Sequence, residues 1–184
     1  MSSIRVVRRL SRLMGVTVHF EGALSGEKAF VRVVELAKKF ASERNWETSL
    51  IDETNAKLQR VRGEEDWDYE GPTRGIALQP HPNCDPLRLE FDSELYIQEF
   101  CKTQFAPLRV HVEIVELLRS IRPEFHSLSV EDEGEYWDTE DESRLEGHLS
   151  ACFDALDEHL ERDPNLMGPV RAPSGRILDL VTRR

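Results

Sequence analysis

Nowhere does this 184-residue chain carry an uninterrupted apolar run approaching the roughly 18 residues that cross a bilayer. Its first residues also lack the apolar stretch and small-residue cleavage site of a signal peptide. The sequence therefore reads as soluble, cytoplasmic and bacterial in type. Cysteine is scarce: Cys84, Cys101 and Cys152 are odd in number and widely spaced, which excludes a disulfide framework and fits a reducing compartment. The motifs of several enzyme classes are missing too. There is no G-x-x-x-x-G-K-[ST] loop, no G-x-G-x-x-G turn and no G-x-S-x-G elbow. The D-x-[DN]-x-[DN]-G spacing of a calcium loop is equally absent, so no cofactor or metal is implied. Basic residues are the minority, 24 against 35 acids, for a formal charge of −11. Such a surface repels phosphate backbones and anionic lipid, which argues against nucleic-acid and membrane partners.

Two acidic stretches hold two of the three tryptophans and two of the three tyrosines. The first runs from Glu64 to Glu70 and contains Trp67, Asp68 and Tyr69; the second runs from Glu131 to Glu142 and contains Glu133, Glu135, Tyr136 and Trp137. Carboxylates beside indole and phenol rings suit a cation, a Lys/Arg-rich partner or a sugar, provided the rings are exposed. The competing reading is that the rings anchor their loops to the core while the acids stay solvated. A third charge feature is the acid-free N-terminal run with Arg5, Arg8, Arg9 and Arg12, which has the sign to pair with the acidic loops of its own or another copy.

Between these stretches the apolar pattern is clear. Residues 16–20 alternate as a strand that Glu21-Gly22 ends, and Ser25 is placed to cap a helix reaching residue 44. Trp46–Asp52 reads as a strand, and the first acidic stretch with Gly71-Pro72 as a loop. A short strand follows at Ile76 and Leu78, stopped by Pro80 and Pro82. Leu87–Phe91 and Leu95–Cys101 read as an antiparallel hairpin. Pro107 opens a helix with His111, Ile114, Val115, Leu118 and Ile121 on one face, stopped by Pro123. A last strand covers Phe125–Val130. Thr139 and Glu142 have capping-box spacing for a helix carrying Leu145, Leu149, Cys152, Leu156 and Leu160. The order predicts an α+β fold: a two-layer sandwich of a mostly antiparallel sheet with two or three helices on one face, a ferredoxin-like core with extra strands being one version. Residues 1–164 form a single domain in this reading, and 165–184 an extended tail whose Ile177, Leu178, Leu180 and Val181 dock on the body or on a partner.

Other groupings carry weaker chemistry. His81, Cys84 and Asp85 are zinc-type ligands within five residues, with His111 or Cys101 to complete a set, and Cys84 with His81 is the nearest Cys/His pair. An Asn/Asp turn that bonds its own backbone explains the same residues. Glu90, Asp92, Glu99 and Lys102 could form a carboxylate-plus-lysine site, but solvated charges on a half-buried sheet look alike. Lys102 and Gln104 stand where the hairpin meets the central helix and complete the candidate site, Lys102 pairing with Glu133 or Glu135 in the plainer reading.

The function these observations favour is a soluble, acidic, non-enzymatic protein-binding module that recognises a basic partner through the two acidic-aromatic loops. A toxin-neutralising immunity protein would share this size and charge. The alternative is a small carboxylate- or divalent-metal-dependent hydrolase built from Glu90, Asp92, Glu99, Glu131 and Asp132. A homo-oligomer held by the basic run is a third.

Overall fold

The computed structural model describes residues 15–182, so the basic run at Arg5, Arg8, Arg9 and Arg12 lies outside the described residues. The first strand, β1, spans Thr17–Leu24 and continues through Gly22, where a strand end was expected. Glycine is what lets it continue: a Cβ at Gly22 would stand 2.2 Å from the Ser127 carbonyl oxygen of the neighbouring strand. Helix α1 spans Glu27–Arg44 and buries Ala29, Val33, Ala37 and Ala41. Gly26 begins it at φ 136° without a side-chain cap. The expected cap, Ser25, donates its hydroxyl to the Glu124 carbonyl instead.

Strand β2 (Glu47–Leu58) leads to the short β3 (Val61–Arg62) and β4 (Glu65–Asp66), then to β5 (Tyr69–Gln79), β6 (Leu87–Phe91) and β7 (Tyr96–Lys102). The first acidic stretch is thus no loop. It forms the turn and second arm of a β3–β4 hairpin, reversed at Gly63 (φ 63°), and then the start of β5. Helix α2 (Leu108–Ile121), a 3-10 turn at Arg122–Glu124 and β8 (Phe125–Asp132) follow, then the one-turn α3 (Tyr136–Thr139) and the long α4 (Glu142–Arg162). Asp141, not Thr139, caps α4, its carboxylate accepting from the amides of Ser143 and Arg144 at 2.9 and 3.1 Å. Thr139 is the last residue of α3 and donates back to the Glu135 carbonyl, and the left-handed Glu140 then redirects the chain. The remaining segment pairs as β9 (Leu166–Met167) with β12 (Val181–Thr182) and β10 (Val170–Arg171) with β11 (Ile177–Leu178).

The fold is α+β, with antiparallel strand pairs throughout. Two three-stranded sheets have the orders β7-β1-β8 and β2-β5-β6. Because β7 and β8 both run antiparallel to β1, they are parallel to each other and α2 is the crossover between them. Strand β2 pairs with β5, in the sheet that does not contain β1.

The expected hairpin of β6 and β7 is a tight connection without a continuous ladder. Leu95, at φ 61°, turns the chain, and backbone bonds join the two strands at Asp92 N to Tyr96 O and at Asp85 N to Lys102 O. Carboxylates take backbone donors that a ladder would use. Asp92 accepts from the Tyr96 amide at 2.9 Å, and Asp85 accepts from the Lys102 amide at 3.3 Å.

Helices α1 and α2 share one core with both sheets through Val33, Ile114, Leu118, Val18, Ile76 and Phe91. A smaller cluster of Val16, Leu145, Cys152 and Leu156 ties α4 to the start of β1. Register between β5 and β6 depends on Gly75, at φ 155°, where a Cβ would lie 1.8 Å from the Leu89 carbonyl oxygen. Gly75→Ala is expected to force these strands apart and cost about 1–3 kcal/mol. A urea melt reads this as a lower midpoint, and an unchanged midpoint would contradict the close approach. None of the described helices is long and apolar enough to cross a membrane.

Candidate functional site

The first acidic stretch folds around an arginine that composition did not single out. Arg60 is 2% exposed. Its Nη1 donates to Asp92 Oδ2 at 2.6 Å and its Nη2 to the Tyr96 carbonyl at 3.2 Å. The guanidinium carbon lies 5.0 Å from the Tyr96 ring, 5.1 Å from Tyr69 and 5.8 Å from Trp67. Three rings around a cation are the arrangement in which cation–π attraction is strongest. A cation does lie among these rings, and it is the protein's own Arg60.

Other contacts fix the hairpin. The Gln98 side-chain amide bonds both the N–H and the C=O of Val61 at 2.8 Å, as a neighbouring strand would. Asp68 accepts from the Arg60 amide at 3.3 Å, and Tyr69 donates its hydroxyl to the Pro72 carbonyl. Trp67 meets Tyr96 edge-on at 5.4 Å and carries the guanidinium of Arg62 at 3.8 Å. It remains 37% exposed, and Glu64, Glu65, Asp66, Asp68 and Glu70 around it all face solvent.

The second stretch is braced from beneath. Asp132 Oδ1 accepts from the Gly134 amide and Oδ2 from the Trp137 amide, both at 2.8 Å. Oδ2 also meets His111 Nε2 at 3.1 Å, and His111 Nδ1 meets the Thr103 hydroxyl at 2.8 Å. Facing a carboxylate, Nε2 carries a proton. Burial alone would push the Asp132 carboxyl up. The His111 contact and the two backbone amides outweigh it and hold the carboxyl below its ordinary value. This hydroxyl–imidazole–carboxylate chain has the composition of a nucleophilic triad, but all three residues are buried, and its bonds run to the protein's own backbone. It acts as a brace.

Tyr136 and Trp137 are half-buried against the main core, and Arg119 donates to the Trp137 carbonyl and pairs with Glu140. Glu133 accepts from the Thr17 amide at 2.9 Å, and Glu135 pairs with Arg144 at 3.0 Å. Glu131, Asp138 and Glu142 are exposed.

Lys102 and Gln104 converge on the C-terminal segment rather than on Glu133 or Glu135. Lys102 Nζ donates to both Asp179 oxygens at 2.8 Å, and Gln104 Nε2 donates to Asp179 at 2.8 Å. Gln104 Oε1 accepts from the Val16 amide at 2.9 Å, so Gln104 and Glu133 do flank the same short segment. Trp67 contacts Tyr96 at one end of β7, while Glu133 bonds Thr17, which pairs with Lys102 at the other end. Seven-residue β7 puts about 20 Å between these ends, so the candidate residues form two separate groups.

The carboxylates proposed for a hydrolase do not converge. Glu90 bonds Arg88 and Thr73, Asp92 bonds Arg60, Glu99 bonds Arg176, and Asp132 bonds His111. Among the described residues, no three His, Cys, Asp or Glu side chains stand together as metal ligands. His81 Nδ1 accepts from the Asn83 amide, so the imidazole bonds the local backbone, whereas Asp85, expected to do so, accepts from the remote Lys102 and Ile177 amides. The Cys84 thiol points inward, 3.7 Å from Cys101 Sγ. The hydrogen bond with Cys84 and burial push the Cys101 thiol well above its ordinary value, away from nucleophilic use.

Sequence reasoning missed Arg60, Gln98 and Arg176, whose partners Asp92, Val61 and Glu99 are remote in the chain, and it gave Asp85 a different role from the one it has, holding the Lys102 and Ile177 amides. For Arg60 a signal existed: Arg60 and Arg62 directly precede an acidic stretch rich in rings. No protein-family model, curated protein or solved structure matches this chain.

Proposed function

We propose that the protein is a soluble, cytoplasmic, non-catalytic binding module that recognises a basic protein partner through its acidic-aromatic stretches. The first stretch makes the main contact. The observation that carries this reading is Trp67, 37% exposed on a hairpin that Arg60 and Gln98 hold in place, among exposed carboxylates. A large ring on a preorganised support offers contact area at low ordering cost, and the surrounding negative charge steers a basic surface towards it. Glu131, Asp138 and Glu142 of the second stretch extend the negative field. Neutralisation of a basic toxin, as by an immunity-type protein, is one form this function takes. Among the described residues no group of carboxylates that could hold a metal supports the hydrolase alternative.

The test compares capture by wild type, Trp67→Ala and Glu64→Lys/Glu65→Lys from lysate of the source cells. The captured protein is identified by mass and remade for affinity measurement. A basic partner is expected, bound roughly thirtyfold more weakly by Trp67→Ala, the effect of losing about 2 kcal/mol at an aromatic hot spot. Equal affinity for wild type and both variants would refute the reading.

A further inference from the structure

The segment from β9 to β12 folds back on itself about a turn at Ala172–Gly175 and lies across the outer end of β7. Its grip on the body is mostly polar. Of residues 165–182 only Ile177 is buried, with Leu180 packed partly against the α4 cluster. Arg176 donates to Glu99 and to the Phe100 carbonyl, its guanidinium carbon sits 4.1 Å over the Phe100 ring, and it stands 3.6 Å from Asp85. The next residue is held by its backbone: Ile177 N–H donates to Asp85 Oδ1 at 2.7 Å and its carbonyl accepts from Lys102 at 3.3 Å. Two residues on, Asp179 takes Lys102 and Gln104.

The receiving side is built for a guanidinium. Asp85 is fully buried and Glu99 partly so, its side chain 12% exposed, and desolvation pushes both carboxyls up despite the Arg176 charge. An empty pocket would leave the two acids with only the backbone amides of Lys102 and Phe100 among these contacts and without the guanidinium, which is costly. A planar ion with several fixed donors meets both acids, the carbonyl and the ring at once, and an ammonium cannot. A segment with so little buried apolar surface belongs to the part of a structure that opens first.

We propose that this C-terminal hairpin is a displaceable stand-in, and that the groove beneath it takes an extended partner segment of pattern arginine, apolar, any residue, acid. Arg176-Ile177-Leu178-Asp179 is the internal copy of that pattern. The partner's guanidinium enters the Asp85, Glu99 and Phe100 pocket, its following amide and carbonyl meet Asp85 and Lys102, and its acid meets Lys102 and Gln104. The inference uses none of the Trp67 hairpin's residues, so it stands or falls separately from the proposed function.

The probe is a fluorescent peptide with the sequence of Pro173–Thr182, titrated into the full chain. Vacating the pocket with Arg176→Ala is expected to tighten peptide binding at least about tenfold, because the closed form no longer competes. Glu99→Gln in that background, or lysine for arginine in the peptide, is expected to abolish it. A folded Arg176→Ala chain, judged by circular dichroism, that does not bind the peptide overturns the proposal. If that variant does not fold, wild-type protein with millimolar peptide decides: amide shifts confined to residues 82–85 and 99–104 support the groove, and their absence overturns it. Wild-type dimers that exchange this segment between copies would also overturn it, by assigning the groove to a second copy of this chain.

Discussion

Arg60→Ala is expected to lower the unfolding free energy by about 3–5 kcal/mol, the usual cost of stripping one partner from a buried ion pair. Arg60 and Asp92 are both shielded from water, at 1% and 6% side-chain exposure. Without the guanidinium, Asp92 keeps, among the described residues, the amides of Glu94 and Tyr96, and Trp67, Tyr69 and Tyr96 lose the cation they surround. Urea unfolding measures the loss. Arg60→Lys is expected to recover little, because a point charge cannot reach Asp92 and the Tyr96 carbonyl together. The double variant Arg60→Met/Asp92→Leu is expected to be more stable than Arg60→Ala, since it leaves no unpaired charge. An Arg60→Ala chain as stable as wild type would show that the cage contributes nothing to the hairpin.

The second large effect belongs to the brace under the other stretch. Asp132→Ala removes the acceptor of two amides and the partner of His111, and is expected to cost about 3–5 kcal/mol. Its pH dependence has a definite sign. The folded Asp132 carboxyl titrates below its ordinary value, so its contribution is present above the ordinary carboxylate range and is lost as pH falls through the folded value. Asp85 and Glu99 are raised and act in the opposite sense: their contribution is present in acid and lost as pH rises through their folded values. Asp132→Asn should therefore flatten the acid limb of the stability curve while leaving the fall with rising pH that Asp85 and Glu99 cause. Parallel wild-type and variant curves from pH 3 to 7 would contradict this assignment.

What local pattern can carry was readable from the chain. The helical repeat of Phe30, Val33, Val34, Ala37, Phe40 and Ala41, of which Val33, Ala37 and Ala41 are buried and the others partly so, and that of His111, Ile114, Val115, Leu118 and Ile121 each mark a buried helix face, because burial and repeat are the same fact on a helix. Alternation likewise marked β1 and β6. Groups that meet only in the fold were not readable. Asp92 finds Arg60 thirty-two residues earlier, and Lys102 finds Asp179 seventy-seven residues later. The two strands of the β6–β7 hairpin were readable, but not the lack of a continuous ladder between them, where aspartate side chains take the Tyr96 and Lys102 amides, which no apolar repeat records.

The candidate site shows the same division. Its charge and rings were visible in composition, and their division into an exposed Trp67 and a half-buried Tyr136 and Trp137 was not. That division depends on where each stretch meets the sheet: the first leaves a short hairpin edge, whereas the second turns directly into α3 over His111.

The central claim is that negative charge around a rigid Trp67 brings a basic partner to the protein. The most direct test is the association rate with the captured partner as a function of ionic strength, for wild type and for Glu64→Lys/Glu65→Lys. Steering predicts a wild-type rate that falls steeply with salt, and a slower variant whose rate falls less. Rates that are equal for the two proteins and insensitive to salt would contradict the account.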